Sequence, residues 1–444
     1  MSKYRFPKNF VWGCATASYQ IEGSPLADGA GESIWHRFSH TPDMILNGDT
    51  GDVACDHYNQ YKEDVALMKR LELGSYRFSV AWPRIFPQGK GKVNRKGVDF
   101  YSRLVDELLA AKIKPCLTLY HWDLPQALQD LGGWANPDCA LWYRDYAALM
   151  FDKLGDRVKF WITLNEPFVI AFIGHALGIH APGINDIDTM LAVGQTLLRA
   201  HGHAVKAFRE GGRGGEIGIT VDVESVQPAT ESSADKAAAE RYCAFTNQWF
   251  LDPIFFGEYP KEMRSAFPAM PRFEPEDAKL IHQPLDFIGV NNYTRTVWRH
   301  DDLAFLQAQQ VFPEGKYTEM QWEVCPDGLY HLLKWLDTRY HHPTLYITEN
   351  GACFTDTVEP DGSINDDDRL DYVREYLKAA HRAIAEGLKL RGYYLWSLLD
   401  NFEWGFGYAR RLGIVRVDFD TQKRTIKKSG HWYSQTVKNN EFSS

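Results

Sequence analysis

Leu345-Tyr346-Ile347-Thr348-Glu349-Asn350-Gly351 runs four β-prone residues without a charge, then a carboxylate, then an Asn-Gly pair of the kind that marks a turn. It reads as a buried strand that delivers Glu349 to its C-terminal tip. A buried carboxylate is costly unless something pairs with it or needs it. A second such place is Phe160-Trp161-Ile162-Thr163-Leu164-Asn165-Glu166-Pro167, where Pro167 ends the ladder because it has no N–H to donate. Two strand-end glutamates facing water would give the same local pattern, so each motif gains its meaning from the rest of the chain.

Six further runs resemble these two. Strand candidates fall at 10–17, 75–80, 113–121, 159–166, 216–223, 286–293, 344–350 and 391–398, and amphipathic segments at 57–73, 97–111, 137–154, 188–209, 234–251, 327–339, 367–386 and 427–438. Eight β–α units in alternation predict a parallel (β/α)8 TIM barrel, with an open doubly wound sheet as the alternative. No linker, repeat or low-complexity tract interrupts the 444 residues, so one catalytic domain, 1–444, is expected, with elongated βα loops forming a deep pocket.

Composition narrows the function. Net charge is −9, with no basic run among aromatics, which disfavours nucleic acid and anionic membranes as partners. No apolar run is long enough for a transmembrane helix, and residues 1–10 lack the apolar centre of a signal peptide. Seven scattered cysteines without a CxxC argue against a disulfide framework or a zinc site, and the expected location is cytoplasmic. The composition is compatible with a homo-oligomer. Fourteen tryptophans fit either an aromatic core or the stacking of sugar rings.

In a barrel, chemistry gathers at the C-terminal strand ends. Those ends carry Gln20 and Glu22 after strand 1, Arg77 on strand 2, His121-Trp122-Asp123, Asn165-Glu166, Asn291-Asn292-Tyr293, Glu349, and finally Trp396 leading to Glu403-Trp404. Two carboxylates on separate strands are what hydrolysis of a glycosidic bond requires: one donates a proton, the other captures or stabilises the oxocarbenium-like centre. The acid needs a raised pKa and the nucleophile a cation. Arg77, an arginine inside an apolar strand, suits Glu349, although a plain structural salt bridge would look the same. Gln20, His121, Asn165 and Glu403 are of the kind that reads sugar hydroxyls, and Trp396 and Trp404 could stack beneath the ring.

Phe10-Val11-Trp12-Gly13-Cys14-Ala15-Thr16-Ala17-Ser18-Tyr19-Gln20-Ile21-Glu22-Gly23 resembles the N-terminal signature of glycoside hydrolase family 1, the β-glucosidase family. Thr163-Leu164-Asn165-Glu166-Pro167 resembles its acid/base motif and Ile347-Thr348-Glu349-Asn350-Gly351 its nucleophile motif. Tyr76-Arg77-Phe78-Ser79, His121-Trp122-Asp123-Leu124-Pro125, Asn291-Asn292-Tyr293 and Asn401-Phe402-Glu403-Trp404 match in order along the chain. The resemblance implies a (β/α)8 barrel hydrolysing terminal β-glucosides with retention, with β-galactoside or β-fucoside activity besides, and with no metal or organic cofactor. It implies Glu166 as acid/base and Glu349 as nucleophile. It further implies that Arg77, Tyr293 and Asn291 support the nucleophile, that Asn165 meets the sugar's 2-hydroxyl, and that Gln20, His121, Trp122, Trp396, Glu403 and Trp404 line the glycone pocket, with Trp322 beside the leaving group. The implied substrates are small molecules: cellobiose, short β-glucosides and aryl β-glucosides, in the context of cellulose degradation.

Where members acting on 6-phosphorylated sugars place serine, lysine and tyrosine, this chain has Glu403, Arg410 and Leu412, which disfavours a 6-phospho-β-glucosidase. Leu412 replaces a usual aromatic residue, Asp222 stands where asparagine is common, and Phe406 occupies a position often polar. A non-catalytic sugar-binding barrel and an inverting hydrolase are the remaining alternatives; inversion needs carboxyls roughly 6.5–9.5 Å apart, retention about 5–5.5 Å. Three other features carry no site. His201 and His203, two apart, do not share a helix face, Gly211-Gly212-Arg213-Gly214-Gly215 reads as a helix-to-strand turn, and Asp366-Asp367-Asp368 as acids at a helix N-terminus.

Overall fold

The computed structural model describes residues 2–443. Its centre is a closed barrel of eight parallel strands: β1 (Val11–Ala15), β2 (Ser75–Ser79), β3 (Lys114–Tyr120), β4 (Phe160–Asn165), β5 (Glu216–Asp222), β6 (Phe287–Asn291), β7 (Leu345–Asn350) and β8 (Leu390–Trp396). They pair in chain order, with β8 returning to β1. The open-sheet alternative is thereby set aside. Parallel strands are covered on both faces, which is why they read as near-continuous apolar runs. Gly13 shows how tightly the interior is filled: a Cβ there would lie 2.6 Å from the Tyr394 ring.

All eight strand candidates form, and the helices follow from their periodicity. Arg95–Ala110 buries Gly97, Phe100, Tyr101, Leu104, Val105 and Leu108, one stripe at helical spacing. Ile187–Gly211 begins with the Asp186 side chain accepting the Thr189 N–H at 2.7 Å and ends at Gly212, whose φ of 61° only glycine adopts without strain. That glycine run is the turn expected of it. The 234–251 segment is a correction in detail: Ser233–Cys243 passes through a π-turn, Ala244–Gln248, before Trp249–Phe256. His201 is buried inside, with Nδ1 2.7 Å from Thr163 Oγ1, and serves packing.

The two ends of the barrel differ. At the N-terminal end, Phe160, Phe287 and Tyr346 meet with ring centroids 4.4–5.4 Å apart and plug the mouth. At the C-terminal end, long loops build walls. After β5 and β6, Ser225–Pro228, Arg295–His300 and Ala308–Val311 form a three-stranded sheet on one side of the opening. The loop leaving β7 is held by Arg369, which donates to the carbonyl oxygens of Ala352 and Phe354 and pairs with Asp356 and Asp366.

Candidate active site

Strand register places the two glutamates. Glu349 is aligned with Asn291 of β6, and the Glu166 N–H donates to the Thr220 carbonyl of β5 at 2.9 Å just past the end of β4. Glu166 sits at φ 49°, in the left-handed region, as do Trp122 at 78° and Trp404 at 47°. Non-glycine residues occupy that region at a cost, and such costs concentrate at functional sites. Gly351 is required for space: a Cβ would fall 1.7 Å from the Trp396 carbonyl oxygen. The Asn350-Gly351 pair, read as a turn signal, therefore marks a close approach of the β7 exit to β8, with Asn350 still in its strand.

Glu349 is gripped from both sides. Arg77, 1% exposed, donates from Nη1 to Glu349 Oε1 at 2.7 Å and to the Thr348 carbonyl at 2.9 Å. Its Nη2 donates to Asn165 Oδ1 at 2.6 Å and its Nε to Thr118 Oγ1 at 3.2 Å. The Tyr293 hydroxyl donates to Glu349 Oε2 at 2.6 Å, and the Tyr293 carbonyl is fixed by the Tyr372 and Tyr376 hydroxyls. Glu166 has a poorer shell: one neutral amide, Asn291 Nδ2, donates to Oε1 at 2.5 Å. Asn291 was expected to serve Glu349; its amide contacts Glu166 while also favouring the ionised form of Glu349 across the register, so it serves both carboxyls.

This asymmetry decides where a proton sits. Burial pushes both carboxyls up; Arg77, then Tyr293, pulls Glu349 back toward ionisation. Glu166 is pushed well above the usual carboxylate range by burial, then by the charges of Asp222 and Glu349, against the Asn291 bond and the Arg77 charge. Both carboxyls are raised, Glu166 the further, so a proton shared between them favours Glu166. Tyr293 stays protonated, because burial and the Glu349 charge raise its pKa well above the ordinary value.

Both glutamates open into a cavity of about 390 Å³. His121, Trp122, Tyr293, Trp322, Trp396, Glu403 and Trp404 line it with them. Trp404 packs on Trp122 and Trp35 at centroid distances of 4.6 and 4.4 Å, and Trp322 leans on Tyr293 at 4.8 Å across the opening. Gln20, Arg77, Asn165 and Asn291 stand behind this wall. Asn165 reaches back to Arg77 and Asn291 and places Nδ2 3.1 Å from His121 Nε2. Gln20 donates to the Phe402 carbonyl at 2.8 Å and reaches Glu403 Oε2 at 3.5 Å. Gln20 Oε1 and His121 Nδ1 are buried without a protein partner, so a sugar hydroxyl meeting them would relieve a desolvation cost. Burial and the Glu349 charge push Glu403 up to about 8, so near neutrality it can donate as well as accept.

Sequence reasoning had not counted Asp222 and Glu224 as site residues, yet both line the cavity. Asp222 ends β5, the same signal that singled out Glu166, and the sequence marked it only as a departure from the family's usual asparagine. Burial pushes Glu224 up to about 7. Ile179 and His180, on the loop after β4, and Val169 and Met320 complete the lining together with Phe406 and Leu412, two of the departures from the family pattern. Among the described residues no lysine or arginine lines the cavity; Arg410 turns toward the Phe406 ring, 5.3 Å away. Five acids and no lining cation make a poor receptor for a phosphate.

The arrangement can carry out acid-assisted displacement at a sugar carbon, and comparison with known proteins agrees. The glycosyl hydrolase family 1 model matches residues 2–442. Beta-glucosidase A of Acetivibrio thermocellus is 50% identical over 448 residues, covering 100% of each chain. Beta-glucosidase A of Thermotoga maritima is 50% identical, covering 99% of each. A solved family 1 β-glucosidase from Thermotoga maritima superposes with a TM-score of 0.98 at 49% identity, over 99% of this chain and 100% of that one. A structure described as the Thermotoga maritima β-glucosidase in complex with deoxynojirimycin superposes at 0.96, with 49% identity and the same coverage.

Proposed function

The chain belongs to glycosyl hydrolase family 1, and on that premise we propose that Glu349 is the nucleophile and Glu166 the acid/base of its retaining β-glucosidase reaction. The whole chain, 1–444, acts as one catalytic domain. One observation carries the assignment: Glu349 is held by a cation and a phenol, Glu166 by a single neutral amide.

In the first step Glu166 gives its proton to the glycosidic oxygen while Glu349 attacks the anomeric carbon; the C–O bond to the leaving group breaks and an ester to Glu349 forms. The ester has no negative charge, so one of the influences that hold the proton on Glu166 vanishes. Glu166, now a carboxylate, takes a proton from water as the water attacks the anomeric carbon and frees Glu349. Arg77, Tyr293 and Asn291 orient Glu349 in both steps. Asn165 meets the 2-hydroxyl, Gln20, His121, Trp122 and Glu403 read the remaining hydroxyls, and Trp396 and Trp404 form the floor.

Cellobiose, short β-glucosides and aryl β-glucosides are the substrates this pocket suits, with β-galactosides and β-fucosides beside them. Val169, Met320 and Trp322 in the cavity lining give a leaving group apolar surface to rest on. Seven unpaired cysteines fit the reducing cytoplasm; among the described residues no helix is long and apolar enough to cross a membrane.

Azide rescue tests the roles. With an activated aryl β-glucoside, Glu349→Ala plus azide should yield the α-glucosyl azide, by direct attack with inversion. Glu166→Ala plus azide should yield the β-glucosyl azide, by attack on the glycosyl-enzyme. Exchange of these two products would reverse the assignment.

A further inference from the structure

Behind the wall that carries Trp404 lies a group of metal-type ligands that the hydrolytic reaction does not use. The helix Ile34–Ser39 carries His36, and His40 follows as its C-cap, four residues on and therefore on the same face. The loop preceding Cys55 brings Asp52 to both: His36 Nδ1 is 3.5 Å from Asp52 Oδ1, and His40 Nε2 is 3.0 Å from Asp52 Oδ2. One ligand atom from each of the three residues lies within 4.8 Å of the others, the only such trio among the described residues.

We propose that His36, His40 and Asp52 form a binding site for one divalent transition-metal cation of the zinc type. Two imidazoles and one carboxylate are a donor set that suits zinc, cobalt or nickel; calcium and magnesium prefer oxygen alone. A tetrahedral ion with bonds of about 2.0–2.1 Å spaces its ligands about 3.4 Å apart, close to the two separations from Asp52 already present. The outer shell is set as such sites require. His40 Nδ1 lies 2.7 Å from the His36 carbonyl oxygen, so it donates there and leaves Nε2 free as the ligand atom. His36 Nδ1 is buried and has no hydrogen-bond partner, an orphaned lone pair that a cation would satisfy. Entry is open: the His40 and Asp52 side chains are 41% and 45% exposed, which leaves room for water in the remaining position.

The neighbouring cation does not oppose this. Arg37 turns away to Glu32 and Asp130. The site also joins two pieces of the pocket wall. Trp35, beside His36, packs on Trp404, while the loop bearing Asp52 holds the segment after Glu403 through Asp49 to the Tyr408 N–H and the Thr50 carbonyl to the Tyr408 hydroxyl. A bound ion would cross-link helix and loop behind the glycone wall without touching substrate.

The test titrates Zn2+ into chelator-treated, tag-free protein by calorimetry, with Co2+ absorption as a second probe, for wild type and for His36→Gln, His40→Gln and Asp52→Asn. The expected result is one saturable equivalent in wild type, weakened at least about tenfold in each variant, and a Zn2+-dependent rise in the unfolding midpoint that the variants lose. Metal-free hydrolysis of an aryl β-glucoside should be unchanged in all three, which shows that they fold. Because the chain has 15 histidines, the variants decide the location: binding that survives all three substitutions, the absence of a saturable site, or equal affinity for Ca2+ would overturn the proposal. A variant without activity is replaced by His40→Asn, judged by the same readings.

Discussion

Replacing Tyr293 by phenylalanine removes a single oxygen and tests the electrostatic reading of the site. The hydroxyl donates to Glu349 Oε2 at 2.6 Å, within the short range of charge-assisted O–H···O bonds, between a buried carboxylate and a partly buried tyrosine. This bond favours the ionised carboxylate, so its loss raises the Glu349 pKa. A hydrogen bond to a charged group contributes about 1.5–3 kcal/mol, which corresponds to about a 10- to 150-fold fall in the ratio of ionised to protonated Glu349 at fixed pH. Arg77 and Asn291 remain, so the nucleophile still ionises, but at higher pH. The sign is therefore set: the acid limb of kcat/KM moves up, and the basic limb, governed by Glu166, keeps its place. The assay is kcat/KM for an aryl β-glucoside from pH 4 to 9 at constant ionic strength. The mutant-to-wild-type ratio should fall steadily below the plateau, by up to the fold-change above. A ratio independent of pH, or an acid limb displaced downward, would refute the role of Tyr293 in holding Glu349 ionised.

Three other outcomes follow from the same geometry. Asp222→Asn removes a group whose charge ranks next after burial in raising the Glu166 pKa, so the basic limb of kcat/KM should move to lower pH; an unmoved limb would show that Asp222, itself raised well above the ordinary value by burial and by Glu224 and Glu349, is protonated there. Arg77→Lys should lose turnover by orders of magnitude, because one ammonium cannot replace a fork that serves Glu349, Thr348, Asn165 and Thr118 at once; near-wild-type kcat with a normal circular dichroism spectrum would contradict this. Gly351→Ala sets a methyl 1.7 Å from the Trp396 carbonyl oxygen, so it should destabilise by about 1–3 kcal/mol or more and lower kcat by moving Glu349, both visible as a shorter half-life on heating and reduced turnover; an unchanged half-life would mean that the β7 exit yields freely.

Much of the architecture was written locally. Apolar runs of five to seven residues alternating with amphipathic helices specify parallel strands covered on both faces, and every strand candidate formed. The carboxylates at the tips of β4 and β7 were legible because a charge at the end of an apolar strand is conspicuous. The break inside 234–251 was not, since a π-turn preserves apolar character while adding one residue to a turn. Nor was the reason for Gly351, because Asn-Gly reads as a turn whether or not another strand crowds it.

What the sequence by itself determined is the barrel, the end at which its polar groups gather, and the placing of Glu166 and Glu349 at two strand tips, since these follow from residue order and hydrophobic period. The resemblance implied which glutamate keeps its proton, but the physical cause lies only in the tertiary structure. The influences that separate them come from Arg77 on β2, Asp222 on β5, Asn291 on β6 and Tyr293 just beyond it, residues far from either glutamate in the chain that barrel closure brings within hydrogen-bonding or Coulombic reach. Closure likewise set Asp222 and Glu224 into the cavity wall, imposed the left-handed backbone at Trp122, Glu166 and Trp404, and aimed His36 and His40 at Asp52. Hydrophobic pattern is a local property of the chain, whereas a pKa or a ligand set depends on distances in space that only the folded barrel defines.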